Sequence, residues 1–179
     1  KRSIQAVAFS PKVQLIATAR YGEVELVNPV NQVTIRKLTG FTGKVNAVAF
    51  SPDGETVYAA GGEAGIVGIV RSWKTSDGSP LRSFEGHTDA AYALAVSPDG
   101  KFIATGAYDQ KIRLWDAATG KEVALLKGHN GAVNGLSFRP DGKVLASASA
   151  DRTVKLWSIP NGQRLDTLSQ PTKEQTSVV

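Results

Sequence analysis

The sequence predicts an all-β protein built from four similar units, each with four antiparallel strands. An apolar residue followed by Ser-Pro or Arg-Pro begins at residues 9, 50, 96 and 138, so this marker recurs at intervals of 41, 46 and 42 residues. A tryptophan follows the marker in the last three units, at Trp73, Trp115 and Trp157. Between these markers, apolar residues alternate with a period of two rather than 3.6, which is typical of strands.

The fourth unit shows most clearly why each strand is predicted. Its four strands contain, in order, Val133, Leu136 and Phe138; residues 144–149; residues 154–157; and residues 164–168. The segments between them are Pro140-Asp141-Gly142, Ala150-Asp151-Arg152 and Pro160-Asn161-Gly162. Proline presets the backbone of a turn and glycine accepts the positive φ that tight turns require. Each segment therefore ends one strand and begins the next.

Several markers in this repeat resemble those of the WD-repeat β-propeller family. Gly86-His87 and Gly128-His129 precede the first strands of two units, and the dipeptide Trp115-Asp116 ends a third strand. Asp109 and Asp151 each lie six residues before a tryptophan. The period of about 42 residues, with four strands per unit, agrees with this family. The resemblance covers residues 3–168 and implies that each unit is a propeller blade.

The resemblance divides the chain into four blades and a tail. The ranges are 3–40 for a degenerate first blade, 41–85 for a second blade with an insertion near 65–70, 86–127, 128–168, and 169–179. The last range is either a tail or the beginning of a further blade, whose first strand would lie at residues 176–179.

In this family the marker residues imply a hydrogen-bonded chain inside each blade. Such a chain would leave no buried polar atom without a partner. A catalytic His–Asp pair is the alternative role for the same side chains. The residues that match are His87, Thr105, Asp109 and Trp115 in the third unit, and His129, Ser147 or Ser149, Asp151 and Trp157 in the fourth.

The first two units depart from this pattern. Phe41 replaces the histidine of the second unit, and Tyr21 and Val27 replace the aspartate and tryptophan of the first. The insertion lengthens the connection between the second and third strands of the second unit and leaves Glu63 as a substitute for the aspartate. We expect these units to be held together by packing instead. The insertion is read either as relaxed constraint or as a loop with a purpose.

The loops before the first strand and between the second and third strands of each blade would lie together on one face of a propeller. Loops held on a rigid scaffold are natural recognition sites, and Tyr and Arg are enriched among residues that dominate interface energetics. The alternative is that these positions are ordinary surface. The candidate partner-binding residues are Gln5, Arg20, Lys44, Asn46, Tyr92, Tyr108 and Asn134.

Composition and motifs argue against several classes of chemistry. The chain has no cysteine and only two histidines, which disfavours disulfides, thiolate chemistry and a catalytic zinc site. No phosphate loop, dinucleotide fingerprint or serine nucleophile elbow is found. No apolar run approaches the roughly 18 residues that span a bilayer. We therefore expect neither enzyme activity nor a metal, a cofactor or a membrane span.

The formal net charge is +5, with a pI near 9.5, which raises the alternative of a nucleic-acid or anion binder. The Lys and Arg residues are dispersed, singly or in pairs, and no aromatic residues are interleaved with them. This distribution is typical of a solvated, mildly basic surface. We thus expect protein partners rather than nucleic acid.

Four blades are fewer than this family usually has, and the outer faces of the two end blades would expose apolar surface. We expect a part of a larger propeller, self-association of two copies into a ring of eight blades, or closure as a ring of four. Since the sequence begins at Lys1 and lacks methionine, we also expect a missing upstream region.

The predicted function is a non-catalytic scaffold for protein–protein interaction. The alternative, besides a basic-surface binder, is an accessory domain of a larger enzyme or redox protein. We expect a soluble protein, cytoplasmic or periplasmic if its source is bacterial, and the sequence does not identify the compartment.

Overall fold

The structure is a computed structural model that describes residues 3–169. This range contains fifteen β-strands and no helix. The chain divides into two compact units, Lys1–Ala91 and Tyr92–Val179. The predicted all-β fold built from antiparallel four-strand sets is confirmed.

The first unit forms one seven-stranded antiparallel sheet whose strands lie in sequence order. Its strands are β1 (Ala6–Phe9), β2 (Ile16–Ala19), β3 (Tyr21–Val27), β4 (Thr34–Phe50), β5 (Thr56–Glu63), β6 (Val67–Lys74) and β7 (Pro80–Phe84). The second unit holds two four-stranded sheets, also in sequence order. Their strands are β8 (Ala91–Val96), β9 (Phe102–Ala107), β10 (Ile112–Asp116) and β11 (Glu122–Leu126), then β12 (Val133–Phe138), β13 (Val144–Ser149), β14 (Thr153–Ser158) and β15 (Arg164–Ser169).

We call each set of four strands a blade. Blade 1 contains β1 to β3 and the first half of β4, and blade 2 contains the second half of β4 with β5 to β7. Blades 3 and 4 are the two sheets of the second unit. Ser169, which the sequence assigned to the tail, is the last residue of β15. The predicted strand at 176–179 lies outside the described residues.

β4 is a single strand of 17 residues shared by the first two blades. Leu38 pairs with Val24 of β3, and Val48 pairs with Ala59 of β5. The predicted boundary between residues 40 and 41 therefore falls inside a strand. Gly43 allows this path because it has no side chain. A Cβ at this position would clash with the Gly62 carbonyl oxygen, at a distance of 2.1 Å. The glycine thus serves close backbone approach rather than a turn.

Each unit has its own apolar core, to which both of its blades contribute. The core of the first unit includes Leu26 and Leu38 from blade 1 together with Trp73 from blade 2. In the second unit, Leu114 from blade 3 packs in one cluster with Trp157 from blade 4. Each fully buried large apolar side chain contributes about 1.5–3 kcal/mol. Packing between neighbouring blades therefore holds each unit together.

The Ser-Pro-Asp-Gly turns fix the register of the first two strands of a blade. The Ser97 hydroxyl donates to the Asp99 carboxylate at 2.6 Å and accepts from the Phe102 amide at 2.9 Å. Gly100 closes the turn with a φ of 73° and an amide that donates to the Ser97 carbonyl oxygen. The Ser97 hydroxyl also lowers the pKa of Asp99, so the carboxylate remains an acceptor at neutral pH.

Candidate functional site

Blade 4 contains a continuous chain of four polar side chains. Nε1 of Trp157 donates to the Ser147 hydroxyl at 2.8 Å, and Ser147 Oγ lies 2.8 Å from Nε2 of His129. On the other side of the imidazole, Nδ1 of His129 lies 2.8 Å from Oδ2 of Asp151. The four residues come from β14, β13, the segment before β12 and the turn after β13.

The direction of these hydrogen bonds follows from the donors available. A carboxylate only accepts, so Nδ1 of His129 carries the hydrogen, and Nε2 then accepts from Ser147. Burial lowers the pKa of His129 and outweighs the raising effect of Asp151, which keeps the imidazole neutral. The tautomer and the protonation state are therefore consistent with each other.

Asp151 is held as an anion. Burial raises the pKa of Asp151, but hydrogen bonds from the Thr153 hydroxyl, the Asn130 amide and His129 together hold it well below its usual range. The corresponding distances to the carboxylate are 2.6 Å, 2.9 Å and 2.8 Å. Ser149, the alternative hydroxyl, instead donates to the Gly131 carbonyl oxygen at 3.0 Å.

Blade 3 has the same hydrogen bond between its tryptophan and a hydroxyl of the second strand. Nε1 of Trp115 donates to the Thr105 hydroxyl at 2.8 Å. The bond from Nε1 of Trp157 to the Ser147 hydroxyl has the same length. Asp109 Oδ1 accepts from the Lys111 amide at 3.0 Å in the turn after β9. His87 belongs to the first unit and is buried there.

The serine, histidine and aspartate of blade 4 stand in the order of a catalytic triad. The side chain of His129, however, is only 1% exposed, and Ser147 is fully buried. A nucleophile must reach its substrate, and these atoms contact other parts of the blade instead. The arrangement satisfies buried polar groups without presenting them to solvent.

Blade 2 replaces this polar chain with aromatic packing. The ring of Phe41, at the histidine position, lies 6.0 Å from the ring of Trp73 at a tilt of 40°. In blade 4 the corresponding rings of His129 and Trp157 lie 6.2 Å apart. Both Phe41 and Trp73 are buried. Phe41 thus preserves the ring contact while removing the need for a buried carboxylate.

The insertion in blade 2 lengthens a hairpin. β5 and β6 have eight residues each and pair as far as Glu63 and Val67, so only residues 64–66 connect them. Glu63 is exposed. The Asp89 carboxylate accepts from the amide of Gly65 at 2.7 Å, which fixes the tip of the hairpin. Asp89 is not among the residues predicted from the sequence, where its only signal is its position near the first strand of the next blade.

Blade 1 carries an ion-pair cluster centred on Glu25. The other blades have a cationic residue at this register position, namely Arg71, Arg113 and Lys155. Glu25 lies on β3 with Nε of Arg20 at 2.9 Å and Nζ of Lys37 at 3.2 Å. Hydrogen bonds with Glu25 and Glu23 raise the pKa of Lys37. The Tyr21 hydroxyl donates to the Thr42 carbonyl oxygen at 3.3 Å, while its ring is exposed.

Of the candidate partner-binding residues in the second unit, two tyrosines lie together. The rings of Tyr92 and Tyr108 meet edge to face with centroids 6.2 Å apart. Tyr108 is 57% exposed in the turn after β9, where Gln110 adopts a φ of 67°. Asn134 is half-buried and forms a bulge in β12, between the paired residues on either side of it.

The candidates in the first unit are less uniform. Gln5 and Lys44 are exposed. Arg20 is committed to its ion pair with Glu25. Asn46 forms a bulge in β4, like Asn134 in β12, and its side-chain amide donates to the Ala91 carbonyl oxygen at 2.9 Å.

The outer face of blade 1 exposes a row of apolar side chains. Val7 and Phe9 on β1 are 59% and 72% exposed. Phe9 pairs with Ile16, which in turn pairs with Val27, so these three residues form a continuous apolar row on one face. Phe9 is exposed, and Ile16 and Val27 are half-buried.

Two absences are found among residues 3–169. No cluster of three or more His, Asp or Glu side chains in this range is arranged to hold a metal ion. In the same range no helix is long and apolar enough to cross a membrane.

The family model described as "WD domain, G-beta repeat" matches residues 32–69, 78–116 and 120–158, more than half of the chain. Strands β1 to β3, with Tyr21 and Val27 at the marker positions, lie outside these matches.

Among curated proteins, an uncharacterized WD repeat-containing protein of Synechocystis sp. is 36% identical over 105 residues, which cover 58% of this chain and 29% of that protein. Intraflagellar transport protein 122 homolog of Homo sapiens is 37% identical over 68 residues, or 38% of this chain and 5% of that protein. Periodic tryptophan protein 2 of Saccharomyces cerevisiae is 31% identical over 111 residues, or 62% of this chain and 12% of that protein. The matched segments thus span less than a third of these relatives.

Proposed function

This chain belongs to the WD-repeat family, and we propose that it is a non-catalytic platform that binds protein partners through the exposed turns of its blades. The proposal rests on the tyrosine pair of the second unit. Tyr108 presents most of its ring to solvent, while its contact with Tyr92 restricts its orientation. A rigid, amphipathic ring of this kind gives a large contact area at a low entropic cost.

The surroundings of Tyr108 also support a role in recognition. The turn that carries it is closed by a hydrogen bond from the Gln110 amide to the Ala107 carbonyl oxygen at 3.2 Å. The bulge at Asn134 is a device that reorients a side chain beside a functional surface. A Cβ at Gly106 would lie 2.5 Å from Cγ1 of Val133, so β9 and β12 approach each other just before Tyr108 and Asn134, and we include both residues in the proposed face.

A displayed library of random peptides tests this proposal. Peptides selected on the intact chain are expected to lose at least about tenfold in affinity when Tyr108 is changed to alanine, as is usual for a central interface tyrosine. Leu165→Ala, at another exposed apolar residue of the same unit, is the matched control. Equal binding of the selected peptides to both variants would contradict the proposal.

We assign a structural role to the polar chain of blade 4, and by analogy to Thr105 and Trp115. Burial of Ser147 and His129 supports this role over the catalytic alternative, because a substrate has no path to their reacting atoms. Their function is then to hold the third strand of the blade against the second. The proposed platform depends on this rigidity.

We further propose that the apolar row Phe9–Ile16–Val27 promotes self-association. Contiguous apolar surface that remains in water favours burial against another surface, and a second copy offers the same row. The ion pairs of Glu25 lie beside this row on the same face of blade 1 and would form its polar border.

Light scattering after gel filtration tests this second proposal. The wild-type chain is expected at roughly twice its mass of 18.9 kDa, and Phe9→Ser is expected to shift it towards the monomer. Ile66→Ser, at the exposed tip of the hairpin, is the control and should leave the mass unchanged. A wild-type monomer with a cooperative unfolding transition would overturn the proposal.

A further inference from the structure

A cleft of about 750 Å³ lies between blades 1 and 2, within the first unit. Its walls are the hairpin between β1 and β2, the paired strands β3 and β4, and the two hairpins of blade 2 that follow β4 and β6. Residues of both blades line the cleft, so it is separate from the exposed outer face of blade 1. Its volume is in the range of sites that bind small organic molecules.

The walls of the cleft are held in place by hydrogen bonds. The Thr75 amide donates to the Glu55 carbonyl oxygen at 2.8 Å, which joins the two hairpins of blade 2. The Arg36 guanidinium donates to the Ser76 carbonyl oxygen and so links β4 to the second of these hairpins. Gly54 brings the two blades close, since a Cβ there would lie 3.1 Å from Cβ of Lys12. The cleft is therefore formed before any ligand arrives.

One polar atom in this wall has no partner. Thr75 is only 6% exposed, and its hydroxyl makes no hydrogen bond to any group among residues 3–169. A buried hydroxyl is normally paired, because its desolvation is otherwise uncompensated. The hydroxyl itself has almost no exposed surface, so a ligand oxygen in the cleft would reach it after the Thr75 side chain turns about χ1, and would then supply the missing partner.

In the second unit, the position equivalent to Thr75 is occupied by an apolar side chain that belongs to the core. The amides of Thr75 and Ile159 make the same bond, to the carbonyl oxygens of Glu55 and Lys143 respectively. Ile159 is buried in the apolar cluster between blades 3 and 4. Arg36 pairs with Leu26 on β3 as Ala124 pairs with Leu114 on β10. The first unit thus has the Thr75 hydroxyl where the second has the apolar side chain of Ile159. It also has the Arg36 guanidinium where the second has the methyl group of Ala124.

The remaining lining is apolar with a cationic side. Leu15, Leu26 and Ile35 contribute apolar surface. Among the cationic groups, Lys12 and Arg36 have no carboxylate within ion-pair distance in the described part of the chain. Of the two acidic residues, Asp53 is engaged by the Ser51 hydroxyl and the Glu55 amide.

We propose that this cleft binds a small organic carboxylate with an apolar body. The body packs on Leu15, Leu26 and Ile35, the carboxylate pairs with Arg36, and a ligand oxygen accepts from the Thr75 hydroxyl. This assignment is independent of the proposed platform role, since the tyrosine pair lies in the other unit.

Titration of isotope-labelled full chain with phenylbutyrate and with its neutral amide, followed by amide NMR shifts, tests the proposal. We expect shifts at residues 12–15, 35–36 and 74–76, and a dissociation constant about tenfold lower for the carboxylate than for the amide, as a charge-assisted hydrogen bond implies. Thr75→Ile narrows the cleft at the position equivalent to Ile159 and also removes the hydroxyl, so it should weaken binding more than Thr75→Val does. Thr75→Val removes only the hydroxyl and should weaken it about three- to tenfold.

Arg36→Ala copies the residue at the equivalent position of blade 3 and should remove the preference for the carboxylate over the amide. If Thr75→Ile does not fold, the Val and Ala variants carry the test. The proposal is overturned if phenylbutyrate produces no shifts at millimolar concentration, or if binding is the same in these variants as in the wild type.

Discussion

Ser147 of β13 and Trp157 of β14 are not register partners, yet the indole nitrogen of Trp157 donates to the Ser147 hydroxyl at 2.8 Å. The residue opposite Ser147 is Lys155, so the tryptophan reaches diagonally by two positions. Thr105 and Trp115 have the same relationship, since Arg113 is opposite Thr105. This diagonal bond locks the second and third strands of both blades in one register.

Replacing Ser147 by alanine is expected to lower the free energy of unfolding by about 2–4 kcal/mol, because two buried groups, Nε1 of Trp157 and Nε2 of His129, lose their partner. Ser149→Ala is the matched control at the next residue on the same face. Its hydroxyl donates to the Gly131 carbonyl oxygen and accepts from the Asp151 amide, which predicts a loss of about 1–2 kcal/mol. Urea unfolding followed by tryptophan fluorescence measures both. Equal losses would show that the diagonal bond contributes nothing special.

The lowered pKa of His129 predicts how stability depends on pH. Below about pH 6.5 an unfolded histidine binds a proton that the folded one resists, so the free energy of unfolding falls as the pH decreases from 7 to 5. In His129→Phe, which copies the residue at position 41, this part of the dependence should disappear. The measurement is a series of urea titrations across this pH range, and parallel curves for the two proteins would refute the assignment.

Phe41→Ala is expected to cost about 3–5 kcal/mol, because it removes a buried aromatic ring that packs on Trp73. The exposed Val30 offers a control, whose change to alanine should alter stability by less than about 0.5 kcal/mol. Thermal unfolding of the three proteins provides the comparison. A small effect at Phe41 would mean that blade 2 is not held by this contact.

Asp89→Ala should release the tip of the β5–β6 hairpin. The carboxylate accepts from the amides of Gly65 and Ala90, both at 2.7 Å, and a hydrogen bond to a charged group contributes about 1.5–3 kcal/mol. Hydrogen exchange at the Gly65 amide is therefore expected to accelerate about tenfold or more. Glu63→Gln, at the exposed end of β5, should leave this exchange rate unchanged; the same acceleration in both variants would argue against capping by Asp89.

The strands of blade 4 show how far the sequence alone leads. β13 has the predicted bounds, and β12 contains all three apolar residues assigned to it, because the turn sequences on either side allow only one register. The choice between Ser147 and Ser149 stayed open for a geometric reason. Residues two apart on a strand share a face, so the pattern does not show which of them reaches the tryptophan.

The path of β4 was not foreseen, because Gly40 and Gly43 have the composition of a turn. Their role depends on neighbours distant in sequence: a Cβ at Gly43 would contact Gly62, and one at Gly40 would contact the Arg71 guanidinium. The cleft was missed for a similar reason. Thr75 and Ile159 are equivalent because their amides make the same backbone hydrogen bond, and this bond is visible only in the structure. It shows that a polar side chain stands where the second unit has a large apolar one.

The continuity of β4 has a consequence for how such chains are recombined. Repeats joined by a loop are exchanged by a crossover in the loop, as between β11 and β12, where residues 127–132 form no strand. A crossover at residue 40 would instead cut a strand whose two halves belong to different ladders. To transplant the first two repeats, a designer should therefore take residues 6–84 together as one block.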